Sequence, residues 1–269
     1  MKNKFLILAS LILAFTVSCT DDFDEINQQP DALSTSDVSA KFFVTTLQQQ
    51  FLKPTMVPLW FGKQIHPDGF SGQISNGFSG SDFPGDLGWL YNSFYTDLGS
   101  WDWYAGYNST LTAYMRIVGK DGALENEQYY ALGLIMKGFY YNQFTETHGM
   151  IPYSEASDPS ISLPKYDAQL DIYKGIIKEL DEAIALIGTN TNTGEGIDML
   201  GENDVIFNGN MQNWKKLANS LKLRIALRAH GSSGETLNDF IDSAKVAFEA
   251  IDSGVLADTD ALFAAFTTE

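Results

Sequence analysis

The chain has 269 residues, 17 Lys+Arg against 34 Asp+Glu, a formal net charge of −17 and a mean hydropathy of −0.12. That excess of carboxylates excludes nucleic acid as a partner, because such binding rests on neutralising phosphates with Lys and Arg, and it disfavours an electrostatic hold on anionic lipid. With 44% hydrophobic residues and a single cysteine, the fold must come from packing in a sizeable core rather than from an intramolecular disulfide.

The N-terminus reads as a targeting segment. Lys2 and Lys4 precede the apolar run Phe5–Phe15, which is too short to span a bilayer (about 20 residues) and matches a signal-peptide core. Cys19 follows directly in Thr16-Val17-Ser18-Cys19, an arrangement that resembles a bacterial lipobox, although Thr16 stands where Leu is preferred. The expected organisation is a signal peptide over residues 1–18, a lipidated acidic tether over 19–34 with Cys19 as attachment point, and one α-helical domain over 35–269. Removal of Lys2 and Lys4 leaves the body still more acidic. A diacylated cysteine would hold the protein on a membrane without any spanning segment. Thr20–Glu25 is a solvated tether, or in a sharper reading an acidic export signal.

Ser34, Ser36 and Asp37 are cap residues for a helix over about 37–52, with Phe42, Phe43, Leu47 and Phe51 inward, ended by Pro54 and Pro58. From Trp60 to Tyr107 the composition shifts. These 48 residues hold four of the five Trp and nine of the 23 Gly, so long loops are expected to about Gly88, then helix over about 89–118 with a break near Gly99. Glu127–His148 is helical, with Tyr130, Leu134, Gly138 and Tyr141 on one face, and Ala131 and Gly138 permit close helix approach. Asp167 is placed to cap a helix ending at Ile187, with the stripe Leu170, Tyr173, Ile177, Leu180, Ile184, Ile187 and Gly188 as its C-terminal stop. Residues 190–210 are loop-like. Gln212–His230 places Trp214, Leu217, Ala218, Leu221, Ile225 and Arg228 on one face, with Lys222, Arg224 and Arg228 toward the helix C-terminus. A last helix is predicted over about 235–253. No alternating pattern argues for a sheet. The class is mainly α, with tetratricopeptide-like helix pairs and long aromatic, Gly-rich loops, though no 34-residue signature is legible.

Catalytic and metal chemistry is not nominated. His66, His148 and His230 are far apart and outside any metal motif, there is no second cysteine for a zinc site, and no G-x-S-x-G occurs. No cofactor is implied. The acids Glu179, Asp181 and Glu182 read as a solvated face, and no EF-hand spacing points to calcium. The aromatic stretch is the candidate binding feature. Sugar rings offer apolar C–H faces that stack on aromatics, while Asp and Asn reach hydroxyls. Trp101, Asp102, Trp103 and Tyr104, with Tyr107 and Trp89, are the expected glycan platform; the competing expectation is that these aromatics are core. On a helix, residues 101 and 104 share a face and 103 points away, so at most two of those three would meet one sugar chain.

Three segments carry a family resemblance. Tyr130–Tyr153, with its Gly-x-x-Pro turn at 149–152, Tyr173–Ala183, and above all Trp214-Lys-Lys-Leu-Ala-Asn-Ser-Leu-Lys-Leu-Arg224 resemble the SusD/RagB family. The resemblance implies a non-catalytic surface lipoprotein of Gram-negative bacteria that binds glycans, or in some members peptides. It also implies delivery to a SusC-like TonB-dependent outer-membrane transporter, with residues 127–253 as the face packed on that partner. A helical glycoside hydrolase is the alternative from another class. Family members are considerably longer, so the expectation is a fragment, a truncated reading frame or a reduced member lacking the C-terminal half.

Overall fold

The computed structural model describes residues 38–52, 68, 71–72, 101–156 and 158–229. Two compact units divide the chain, Met1–Val38 and Ser39–Glu269, and every described helix lies in the second. The described residues form α1 (Lys41–Leu52), α2 (Asp102–Val118), α3 (Glu127–His148), α4 (Gln169–Ile187) and α5 (Met211–Ala229), with two 3-10 turns at Gly196–Asp198 and Gly201–Asn203. No strand occurs among them; one isolated antiparallel bridge joins Ile151 to Asp167. The mainly α class holds.

α3 is the centre. It packs on α4 most extensively, then on α2 and α5, and α4 in turn packs on α5. Asn126 starts α3 by accepting hydrogen bonds from the free amides of Gln128 (2.9 Å) and Tyr129 (3.1 Å). Because neighbours surround it, α3 buries Tyr129, Leu132, Ile135 and Tyr140 as well as Leu134, Gly138 and Tyr141. The predicted single stripe is therefore too narrow, and Tyr130, assigned to it, is only partly buried. Gly138 has the predicted role: a Cβ there would lie 3.2 Å from both Ile176 Cγ2 and Leu180 Cδ2 of α4.

α4 buries Tyr173, Ile177, Leu180 and Ile187 of its predicted stripe together with Ile172, Ile176 and Ala183, leaves Leu170 and Ile184 partly buried, and ends as expected at Gly188, whose φ of +53° suits glycine and whose amide reaches the Ile184 carbonyl. Its start differs. Ala168 is the N-cap without a side-chain bond, while Asp167 turns the other way and binds the loop before it. The predicted outer acids are engaged too: Glu179 pairs with Lys137 of α3 at 2.5 Å, and Asp181 pairs with Lys222 of α5.

One face differs from the sequence reading, on α1, and one residue is misplaced on α5. On α1, Val44, Leu47 and Gln48 are buried, and Phe42 and Phe43 are exposed. The polar residues decide this, since Gln48 and Ser39 are fully buried and bonded to Asp204 and Asp198. On α5, Trp214, Leu217, Ala218, Leu221 and Ile225 are inside as predicted, but the Arg228 side chain is exposed and ion-paired with Glu146. A guanidinium on the stripe stays in water because burying it would need full pairing. The cap residues 34–37, the helix segment before Trp101 and the helix predicted over 235–253 lie outside the described residues.

Candidate functional site

The first turns of α2 face the last turns of α3 through an aromatic cluster. Spacing along α2 sets it, because Tyr104, Tyr107, Leu111, Tyr114 and Val118 recur at three and four residues and share the buried face. Tyr104 stacks on Phe144 with centroids 4.3 Å apart and planes 19° apart, and Tyr140 lies 5.7 Å from Tyr104 and 5.1 Å from Tyr107. Two of the buried phenols are tied down by hydrogen bonds: Tyr140 donates to the Tyr104 carbonyl at 2.7 Å, and Tyr141 to Asn108 Oδ1 at 2.9 Å. Burial pushes the Tyr104 hydroxyl up to about 12, with the Thr147 bond opposing and the Glu146 charge adding to it. Burial likewise raises Tyr107 and Tyr140 far above the ordinary phenol range.

Tyr104 and Tyr107 are 3% and 2% exposed. This corrects the sequence expectation for both: their rings are core, where close packing against α3 leaves no face for a ligand. Trp101, at the N-cap position of α2, is only partly buried, Asp102 is exposed, and Trp103 is partly buried with its indole N–H donating to the Gln50 carbonyl of α1 at 3.2 Å. Trp101 and Tyr104 do share a face, since both contact Phe144, at 5.2 and 4.3 Å. Trp103 packs on Tyr104 and Tyr107, so it braces the cluster. Trp89 and Cys19 lie outside the described residues.

A further aromatic was missed. Tyr166, 55% exposed, lies 6.3 Å from Trp101 with the two ring planes only 14° apart, and His148 meets Trp101 edge-on at 5.4 Å. Tyr166 belongs to the loop between α3 and α4. Asp167 fixes that loop by accepting from the amides of Tyr153 (3.1 Å) and Ser154 (2.8 Å) and from the Ser154 hydroxyl, while its own amide donates to the Ile151 carbonyl. Partial burial raises the Asp167 carboxyl, but the bonds from Ser154 and Tyr153 and the Lys165 charge outweigh it and hold the group below its usual range. Tyr153 lies over Gly175 of α4, where a Cβ would come within 2.4 Å of its ring. An isolated Tyr in a loop has no periodicity, and its proximity to residue 101 crosses 65 positions of chain, so no sequence signal could have found it.

Among the described residues, no three His, Cys, Asp or Glu side chains are grouped so as to hold a metal ion, and no helix is long and apolar enough to cross a membrane. What the arrangement offers is an aromatic surface with a polar rim, suited to holding a ligand by stacking and hydrogen bonds.

Comparison with known proteins agrees with that architecture. No curated protein sequence matches the chain. A chitin-binding protein of known structure is 24% identical with a TM-score of 0.59, over 82% of this chain and 43% of its own. A SusD homologue from Bacteroides ovatus ATCC 8483 is 24% identical with a TM-score of 0.62, over 78% of this chain and 41% of its own. Another SusD homologue, from Parabacteroides distasonis ATCC 8503, is 20% identical with a TM-score of 0.66, over 81% and 39%. These likenesses show a shared helical, tetratricopeptide-like fold, and this chain spans about two-fifths of the length of those structures. The sequence pattern of a SusD-like family described as "Starch-binding associating with outer membrane" matches residues 81–264, more than half of the chain, and the protein therefore belongs to the SusD-like family.

Proposed function

We propose that this protein is a non-catalytic, glycan-binding lipoprotein of the outer-membrane surface, anchored through Cys19, which passes oligosaccharides to a SusC-like TonB-dependent transporter. The family match over residues 81–264 carries this reading, since the family's description joins starch binding to the outer membrane. Likeness to a chitin-binding protein adds a second glycan binder of the same fold. Residues 1–18 then serve as signal peptide, 19–34 as tether and 35–269 as binding domain. Trp101, with Asp102 at its rim, supplies stacking surface. Trp103 contributes on its exposed side, and Tyr104 and Tyr107 support both from behind. The helical surface over 127–253 is the proposed transporter face.

Binding of the full chain to a panel of oligosaccharides, with reducing ends assayed in parallel, tests the central claim. Binding without turnover is the expected outcome; steady release of reducing ends would replace the reading with that of a hydrolase. Cys19→Ala should move the protein from the membrane to the soluble fraction, and unchanged fractionation would remove the anchor. Capture from outer membranes should recover a TonB-dependent receptor.

A further inference from the structure

We propose that Asn208-Gly209 is a modification site, a self-converting asparagine that Asp204 keeps shut while its loop is closed. Its conversion stops the loop from closing again. The reading is independent of glycan binding, and three observations carry it.

The first is the reacting pair. Asn208 is exposed with φ at +51°, a left-handed conformation that asparagine tolerates. Gly209 follows, and without a side chain its nitrogen is the least hindered backbone nucleophile. In the conversion that nitrogen attacks Asn208 Cγ. An N–Cγ bond closes a succinimide ring, the Cγ–Nδ2 bond breaks, and ammonia leaves carrying the proton that the backbone gave up. Water then opens the ring at one carbonyl or the other, giving aspartate or isoaspartate. No electrons change hands.

The second is the lock. Gly209 is buried, and its N–H donates to Asp204 Oδ2 at 3.0 Å. The nucleophilic nitrogen must shed that proton, which the carboxylate holds in place. Its approach is blocked as well. A Cβ on Gly209 would lie 2.6 Å from Gly201 N and 3.4 Å from Leu200 Cβ, so the backbone is packed against the 3-10 turn and cannot swing toward Asn208 Cγ. Asp204 is fixed in turn by Gln48 Nε2 of α1 and Trp214 Nε1 of α5. The site therefore reacts only from an opened loop.

The third is what the products do to the closed loop. Asn208 N donates to the Asp204 carbonyl at 3.1 Å, and Gly209 N to the Asp204 carboxylate, so residues 204–209 form a turn of fixed length. Isoaspartate threads the main chain through the former side chain and adds a methylene between those two amides. Both bonds cannot then be made with good geometry. Aspartate keeps the backbone but adds a negative charge close to a buried carboxylate. A transient opening is thereby recorded as a lasting one.

The test follows the full chain in warm, mildly alkaline buffer by peptide mass mapping, which separates Asn208 from the chain's other Asn-Gly, Asn76-Gly77. Urea is absent, below the unfolding transition, or above it. Conversion at Asn208 should be at least about tenfold slower in the native chain than in the unfolded one, and sub-denaturing urea should raise it in step with hydrogen exchange at the Gly209 amide. Equal rates in native and unfolded chains overturn the lock. So does conversion that rises while Gly209 exchange stays flat. A folded Asp204→Asn variant should convert Asn208 about tenfold faster than the wild type, and an unchanged rate overturns the role of Asp204; if that variant does not fold, the urea series decides. Chains converted in urea and then refolded should melt at lower temperature when position 208 is isoaspartate. Melting equal to that of unconverted chains overturns the one-way step.

Discussion

The two loops flanking α4 are each organised by one aspartate, and the two carboxylates end in different conditions. Asp204, after the 3-10 turns, is 2% exposed and accepts four hydrogen bonds. Gln48 Nε2 (2.8 Å) comes from α1, Trp214 Nε1 (2.7 Å) from α5, and the amides of Ile206 and Gly209 (both 3.0 Å) from its own loop. Asp167 also accepts from two amides and a hydroxyl, yet all of them belong to its own loop. The carboxylate chemistry is alike; the origin of the donors is not. A carboxylate that gathers donors from distant elements is itself drawn into the core, although Ile197, Met199 and Val205 of its loop stay exposed. One served locally stiffens its loop from the surface, where Tyr166 stands.

The sharpest way to break this comparison is Asp204→Ala. Four donors lose their acceptor, two of them on side chains from separate helices, and unfolding in urea should show a loss of about 3 kcal/mol or more. A loss under about 1 kcal/mol would mean that water replaces the carboxylate and that the loop is not held from the core. Gly175→Ala comes next. Its Cβ would meet Tyr153 at 2.4 Å, so the α3–α4 loop must shift, at a cost of about 1–3 kcal/mol. Gly188→Ala tests the entry to the Asp204 loop: with φ at +53°, a side chain is strained, and about 1 kcal/mol should be lost in the same denaturation assay.

The smallest effect is a pH dependence. Asp167 has its folded-state carboxyl held below the ordinary value by the Ser154 and Tyr153 bonds against the opposing effect of burial. The stability it contributes is therefore fully present above the unfolded value, about 4, and is lost as pH falls through the folded one. In Asp167→Asn this part of the acid slope should disappear, and melting temperatures measured from pH 5 downward should fall less steeply than in the wild type. An unchanged slope would show that the loop is not held by charge.

Legibility in the sequence followed locality. α3 was predicted with its ends in place at Glu127 and His148, where the apolar spacing is local, and Gly188 announced the end of α4. The family resemblance rested on the same helical segments. What escaped was settled by partners far along the chain. The buried face of α1 could not be read because an apolar-stripe rule turns Phe42 and Phe43 inward, whereas Gln48 and Ser39 find carboxylates some 156 and 159 residues away. Asp167 looked like a helix cap because cap and loop clasp use the same residue type. Among the candidate site residues, Trp101 and Asp102 emerged at the surface and Tyr104 and Tyr107 in the core, a division set by α3 rather than by their own segment. Tyr166 was invisible for the same reason.

The separation of those α1 partners also bears on the order of assembly. α3 and α4 are neighbours in the chain and can zip together as soon as both exist, through contacts of low sequence separation. α1 is made earlier and can meet α2 first, where Trp103 donates to the Gln50 carbonyl, but its buried polar face must wait. Its Gln48 and Thr45 have their acceptors at Asp204 and Asn203, so these bonds join positions more than 150 residues apart. That closure carries an entropic cost which the contacts recover only once the Asp204 turn is in place. During synthesis, then, the first described helix remains without the acceptors of Thr45 and Gln48 until residues 203 and 204 have been made. Phe42, Phe43 and the face they flank are what nascent-chain chaperones would encounter in that interval.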